Sequence, residues 1–312
     1  MRQHTIQTPY VVGEVHCYST EINGELVLFD CGPPTPEAFA ALKEQLDLSR
    51  LKYLFITHCH IDHFGLAPLI RKETGARIFI PQADDRKIRL RADYLGIFTE
   101  LMTEMGCGRE KAEFIRDRMA QELTLLAPGS YEVVEESDLP SRLGIRWMSC
   151  PGHSQSDLVY LHQDHAVTGD ILLRNIHQVP IYDVDTTTMG GRFHNYNAYC
   201  AGIRRLSQLR GLKIHPGHRW HIEGVDETIL WYVGKVLQRA HMTRRSRPAE
   251  DIGAMMAALS GSLSANPFLL HMKLSEAVFT RDFLENPGQL QAAVASLGLF
   301  EQIRAQFHAV PS

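Results

Sequence analysis

The sequence predicts an α/β layered fold, and three observations carry the prediction. Short apolar runs, such as residues 51–57 (LKYLFIT), alternate with segments of helical spacing, the rhythm of βαβ units. Asn23-Gly24 stands between two apolar alternations, a hairpin signal. The strand-like runs end in polar, glycine-flanked loops, where a rigid scaffold presents functional side chains. Composition agrees: of 312 residues, 44% are hydrophobic and 22% charged, which excludes disorder and collagen-like repetition. Lys+Arg number 32 against 36 Asp+Glu, a net charge of −4. That balance offers no field for steering a polyanion, so nucleic acid is not an expected partner.

In chain order, residues 10–30 read as two strands around Asn23-Gly24, and Cys31-Gly32-Pro33-Pro34 breaks the sheet. Pro36 to Leu46 places Phe39, Leu42 and Leu46 on one helical face. Residues 51–57 read as a strand buried on both faces, His58 to Gly65 as a polar loop, and Leu66 to Thr74 as a helix stopped by Gly75. Residues 77–81 form another strand. Residues 83–127 lack strand alternation and read as a helical insertion of two or three helices, broken near Gly106 and Gly108. Strands return at 131–134, 145–150, 158–162 and 166–170, a helix at 197–210 and a short strand before Pro216-Gly217-His218. Beyond about residue 225 the chain is helical in character, ending with a helix over Leu290–Phe307. The domain reading is 1–225 as a catalytic domain carrying the insertion, and 226–312 as a helical C-terminal region. The N-terminus has no secretory pattern and no stretch is long enough to span a membrane, so a cytoplasmic location is expected. The six cysteines are dispersed and read as free thiols.

The strongest chemical signal is Thr57-His58-Cys59-His60-Ile61-Asp62-His63, directly after the buried strand. Four ligand-type side chains (His58, His60, Asp62, His63) fall within six residues. Neutral imidazole and carboxylate suit Zn²⁺, Fe or Mn. A His-rich surface loop is the bland alternative. Three further strand ends each carry a ligand-type residue beside glycine: Pro151-Gly152-His153, Thr168-Gly169-Asp170 and Pro216-Gly217-His218.

In motif order, Asp30-Cys31-Gly32, His58-x-His60-x-Asp62-His63, His153, Asp170 and His218, the chain resembles the metallo-β-lactamase-fold hydrolase superfamily over about residues 10–225. The resemblance implies an αββα four-layer sandwich of two mixed sheets with metals at one edge, here with a helical insertion and a helical C-terminal extension. It implies that His58, His60 and His153 hold one metal, that Asp62, His63 and His218 hold a second, and that Asp170 bridges them. Asp30 would support the metal loop, and reads equally as a turn residue before Gly-Pro-Pro. The pattern is most similar to the glyoxalase II-like branch. The function so implied is a dinuclear metal-dependent hydrolase, with zinc, iron or manganese, using a metal-bridging hydroxide oriented by Asp62 and Asp170 to cleave a small thioester, lactone or related ester.

Among residues outside the motif, Tyr196 is the candidate oxyanion donor and His177 a candidate substrate contact. Arg219 stands where the family often has a second glycine; it either meets an anionic substrate or points to solvent. The apolar stripe of the insertion either lines an acyl pocket or packs the insertion down, and a homodimer interface is a further use. The competing functions are a mononuclear-iron persulfide dioxygenase, a phosphodiesterase, and a regulatory protein that retains the fold.

Overall fold

The structure is a computed structural model describing residues 1–246, 252–260 and 266–310. Six strands, β1 (Arg2–Ile6), β2 (Val15–Ile22), β3 (Glu25–Phe29), β4 (Leu51–Phe55), β5 (Arg77–Ile80) and β6 (Glu132–Val133), form one sheet in chain order. Its first two pairings are antiparallel and the next three parallel. A second sheet has the order β10 (Lys213–Pro216), β9 (His165–Gly169), β8 (Leu158–His162), β7 (Arg146–Ser149). Only its β10–β9 pair is parallel.

The two-residue period of a strand sorts side chains to opposite faces. In β3 to β5 the aromatics Phe29, Tyr53, Phe55 and Phe79 fall on one face, and meet Tyr160 and Val167 of the second sheet in the inter-sheet core. Leu26, Leu28, Leu54, Ile78 and Ile80 face the other way. They are covered by α1 (Pro36–Gln45), which is capped by Thr35, α2 (Ile61–Phe64) and α3 (Ala67–Thr74). The β2–β3 turn has Asn23 and Gly24 both at positive φ, 54° and 80°, the geometry that Asn-Gly favours in a tight hairpin.

The insertion is three helices, α4 (Gln82–Arg89), α5 (Arg91–Glu104) and α6 (Arg109–Glu122). The short α7 (Leu139–Arg142) precedes β7, and α8 (Asn195–Leu206) covers the outer face of the second sheet. The tail comprises α9 (Val225–Ser246), α10 (Ile252–Ser260), α11 (Pro267–Glu285), α12 (Pro287–Ser296) and α13 (Phe300–Ala309). Tyr94, Phe98 and Ile115 of the insertion share one apolar cluster with Ile229, Leu274 and Phe279 of the tail and Ile203 of α8. Insertion and tail therefore bury each other's apolar stripes. No helix among the described residues is long and apolar enough to cross a membrane, and all six cysteines are free.

Four segments differ from the sequence reading. β1 is an added edge strand, with His4 and Ile6 buried on one face and the exposed Gln3 and partly exposed Thr5 on the other. Residues 10–14 form a loop ahead of β2 rather than part of it. The supposed loop 58–65 contains α2, which puts Asp62 and His63 on a helical turn. The last predicted helix is two, separated where Gly298 takes φ 75°.

Candidate metal centre

The two sheets are stitched at one edge by Leu158 N–H to Thr57 O at 3.0 Å, the Tyr160 hydroxyl to Ile56 O at 2.7 Å and the Tyr18 hydroxyl to Pro216 O at 2.7 Å. That edge collects the motif residues. His58 and His60 follow β4, Asp62 and His63 lie on α2, His153 follows β7, Asp170 follows β9 and His218 follows β10.

Ligand atoms of His58, His60 and His153 lie within 4.8 Å of one another, as do those of His58, His63 and Asp170, and those of Asp62, His63 and His218. His60 Nδ1 is 3.0 Å from both His58 Nε2 and His153 Nε2. Asp170 faces both halves: Oδ1 is 3.3 Å from His63 Nε2 and 3.4 Å from His218 Nε2, and Oδ2 is 3.7 Å from His153 Nε2. Asp62 Oδ2 lies 3.4 Å from His218 Nε2. All but His60 are buried.

The outer ring nitrogens assign the tautomers. His153 Nδ1–H donates to Val179 O at 2.9 Å and His218 Nδ1–H to Glu14 O at 2.6 Å. His63 Nδ1–H donates to Asp30 Oδ2 at 2.8 Å. Thr57 Oγ1 spends its one proton on Asp30 Oδ2 at 2.8 Å, so at 3.1 Å it accepts from His58 Nδ1–H. Four imidazoles thus turn an Nε2 lone pair inward. His63 Nε2, His218 Nε2 and Asp170 Oδ1 are buried without a hydrogen-bond partner, which is costly unless a cation takes those lone pairs. A Cβ on Gly217 would stand 2.6 Å from Asp170 Oδ1 and 2.7 Å from His63 Cε1, so only glycine leaves the cradle open. The donor set therefore fits two divalent cations, one at His58, His60 and His153 and one at Asp62, His63 and His218, with Asp170 between.

Electrostatics divide along the same line. Burial, then the neighbouring imidazoles, holds His58 and His60 well below the ordinary histidine range, so both are neutral. Burial also opposes charging of His63 and His218. There the carboxylates win: Asp170, Asp30 and Asp62 raise His63, and Asp170 and Asp62 push His218 up to about 10. The carboxylates thus make this half of the cradle favourable to positive charge.

Asp30 is a support, not merely a turn residue. It is buried, sits at φ 55°, and its Oδ1 also accepts from Thr57 N–H at 2.8 Å. Two site expectations are corrected. The Tyr196 hydroxyl donates to Asn286 O at 2.7 Å and accepts from Leu290 N–H at 3.1 Å, so it caps α12 instead of serving an oxyanion. His177 turns towards the tail, with Nε2 4.0 Å from Glu276 Oε1, and burial followed by Arg239 and Lys235 lowers it to about 4. Arg219 is exposed, and its carbonyl accepts from His16.

Two titratable groups outside the motif feel the charge of Asp62. Burial raises the Tyr10 phenol, and Glu122 and Asp62 raise it further. Burial raises Glu122, Arg118 opposes the rise and Asp62 adds to it. Arg118 pairs with Glu122 at 3.4 Å and lies 5.4 Å from the Phe268 ring.

A two-sheet sandwich with seven inward-facing His and Asp donors at one edge defines a protein that holds metal ions at the ends of its strands. Residues 10–218 match the metallo-beta-lactamase superfamily, and the chain belongs to that family. A curated relative, "Probable metallo-hydrolase YqjP" of Bacillus subtilis, is 29% identical over 90% of each chain. Among solved structures, the metallo-beta-lactamase family protein TTHA1429 of Thermus thermophilus superposes with TM-score 0.72 at 18% identity, covering 92% of this chain and 93% of that one. A beta-lactamase domain protein of Burkholderia ambifaria superposes with TM-score 0.70 at 15% identity, covering 91% and 86%. These two share the fold.

Proposed function

We propose that this chain is a metal-dependent hydrolase of the glyoxalase II-like kind. It acts on a small thioester, lactone or related ester with two divalent cations, zinc first and iron or manganese as alternatives. The observation that carries the reading is Asp170, whose two oxygens face two separate ligand groups. When bound, such a cation pair lowers the pKa of water towards neutrality and polarises the scissile carbonyl.

The chain's own residues do the rest. Asp170 joins the two halves, and Asp62 belongs to the half with His63 and His218. Backbone carbonyls at 14 and 179 keep the imidazoles in ligating tautomers. The printed name of the Bacillus subtilis relative supports the hydrolase class.

The test is metal content per chain on untagged protein, with thioester and lactone panels on the same sample. Two equivalents with turnover are expected. One equivalent of iron, oxygen consumption with a persulfide and no hydrolysis would replace this reading with the dioxygenase.

A further inference from the structure

Lys87 is a buried lysine of the insertion, and its ammonium is held by two carboxylates. Nζ lies 2.7 Å from Asp183 Oδ2 and 3.6 Å from Asp84 Oδ1. Asp84 and Asp183 are buried too. Neither carboxylate is idle. Asp84 Oδ2 accepts from Cys59 N–H at 2.8 Å, and Cys59 lies between the ligands His58 and His60. Asp183 Oδ1 accepts from the Tyr94 hydroxyl at 2.7 Å and Val184 N–H at 2.8 Å, and Asp183 Oδ2 from Gln155 Nε2 at 3.4 Å. Gln155 stands two residues beyond His153 and donates to Val184 O at 2.6 Å. The same segment grips His153 directly: Ile181 N–H donates to His153 O at 2.8 Å, and Val179 O receives its Nδ1–H.

We propose that Lys87, with Asp84 and Asp183, is a positioning unit that sets the spacing of His60 and His153, and so tunes the three-histidine half of the centre. The bridge runs from Cys59 through Asp84, Lys87 and Asp183 to Gln155. It joins the two loops bearing that half's ligands, which come from different sheets. No link of it reaches Asp62, His63 or His218. Simple anchoring of α4 could be met by apolar contacts, since a buried ion pair is a poor source of net stability. What the pair supplies instead is a fixed distance between two loops.

The inference rests on the two-cation reading above, and the test separates the two. Metal-stripped protein is titrated with Co²⁺ alone against a competing chelator, and the visible band is recorded. Lys87→Met is expected to weaken one Co²⁺ by about 10–100-fold, the range for losing an outer support of a ligand, and to shift the band. The other ion should stay within about threefold on the same scale of effect. Lys87→Arg restores most of the loss, and His153→Ala weakens the same ion. Arg192→Met breaks a comparable pair, held to Asp282 at 2.8 and 2.9 Å; it should lower the melting temperature without changing either affinity. If Lys87→Met does not fold, Asp84→Asn carries the same expectation. Both ions weakened alike, neither weakened, or an effect equal to that of Arg192→Met overturns the proposal. A wild-type protein that binds one Co²⁺ refutes the two-cation reading; the variants are then judged on that ion by the same criterion.

Discussion

Asp30→Asn is a sharp test of how this centre is oriented. The carboxylate takes three protons: from Thr57 N–H, from the Thr57 hydroxyl and from His63 Nδ1, each at 2.8 Å. Asparagine keeps the shape and one oxygen. If that oxygen stays on Thr57 N–H, its NH₂ faces two donors. His63 can answer by becoming an acceptor at Nδ1, which moves its proton to Nε2, the atom 3.3 Å from Asp170 Oδ1. The ring is retained and the ligand is lost. The Thr57 oxygen, which accepts once from His58, can take an amide proton on its second lone pair, but its own proton then loses its acceptor. One buried donor is left unpaired, at a cost of about 1–3 kcal/mol in stability. Loss of an orienting carboxylate weakens metal affinity by about 10–100-fold. Chelator competition should show this for the ion at Asp62, His63 and His218 and not for its neighbour. Nitrogen NMR of the imidazoles reads the tautomer directly. An Asp30→Asn protein that binds both ions at wild-type affinity, with His63 still protonated at Nδ1, would refute the reasoning.

Asp170→Asn should fold and lose most hydrolysis, because the bridging charge is gone; activity retained within about tenfold, equivalent to about 1.4 kcal/mol, contradicts a shared ligand. Gly217→Ala presses a methyl into Asp170 and His63, and overpacking of about 1–3 kcal/mol should appear as a lower melting temperature together with lost metal; full occupancy would show that the cradle is loose. Tyr196→Phe should leave kcat unchanged and destabilise by about 1–3 kcal/mol through unpaired caps of α12; a selective fall in kcat would return it to the active site. His4, His177 and His215 are each lowered to about 4, chiefly by burial. The unfolded chain, titrating near 6.5, then binds protons that the folded one refuses. The contribution of these three histidines to the stability of the metal-free protein is therefore full above about pH 6.5 and falls as pH drops towards 4, whereas His218, raised to about 10, works the other way and loses its contribution as pH rises from about 6.5 to 10. Melting curves against pH check this, and His177→Gln should flatten part of the slope.

The ligand set was legible because each donor sits in a short string at a strand end, where residue type and glycine spacing carry the message. The layered fold was legible for a similar reason: apolar period and Asn-Gly chemistry are local. Tyr196 was misplaced because it shares the one buried face of α8 with Tyr199, and nothing local says that its hydroxyl packs under α12. His177 failed in the same way, turned by the tail helices rather than by its own neighbours. Lys87 carries no motif, and Asp183, the carboxylate nearest its ammonium, lies far along the chain.

The orientation of the centre is the least legible part, and it also governs the chemistry. A histidine can ligate through either nitrogen, and sequence names only the residue. Here the choice is made by Glu14 O, Val179 O and the Asp30–Thr57 pair. Two of those groups are backbone carbonyls, whose presence depends on the path of loops 7–14 and 171–185, not on residue type. Substitutions there should therefore move metal affinity without touching a ligand. A change in either loop that displaces the carbonyl at 14 or 179 should lose metal affinity with all seven donors still in the chain, whereas a change that leaves those carbonyls in place should not.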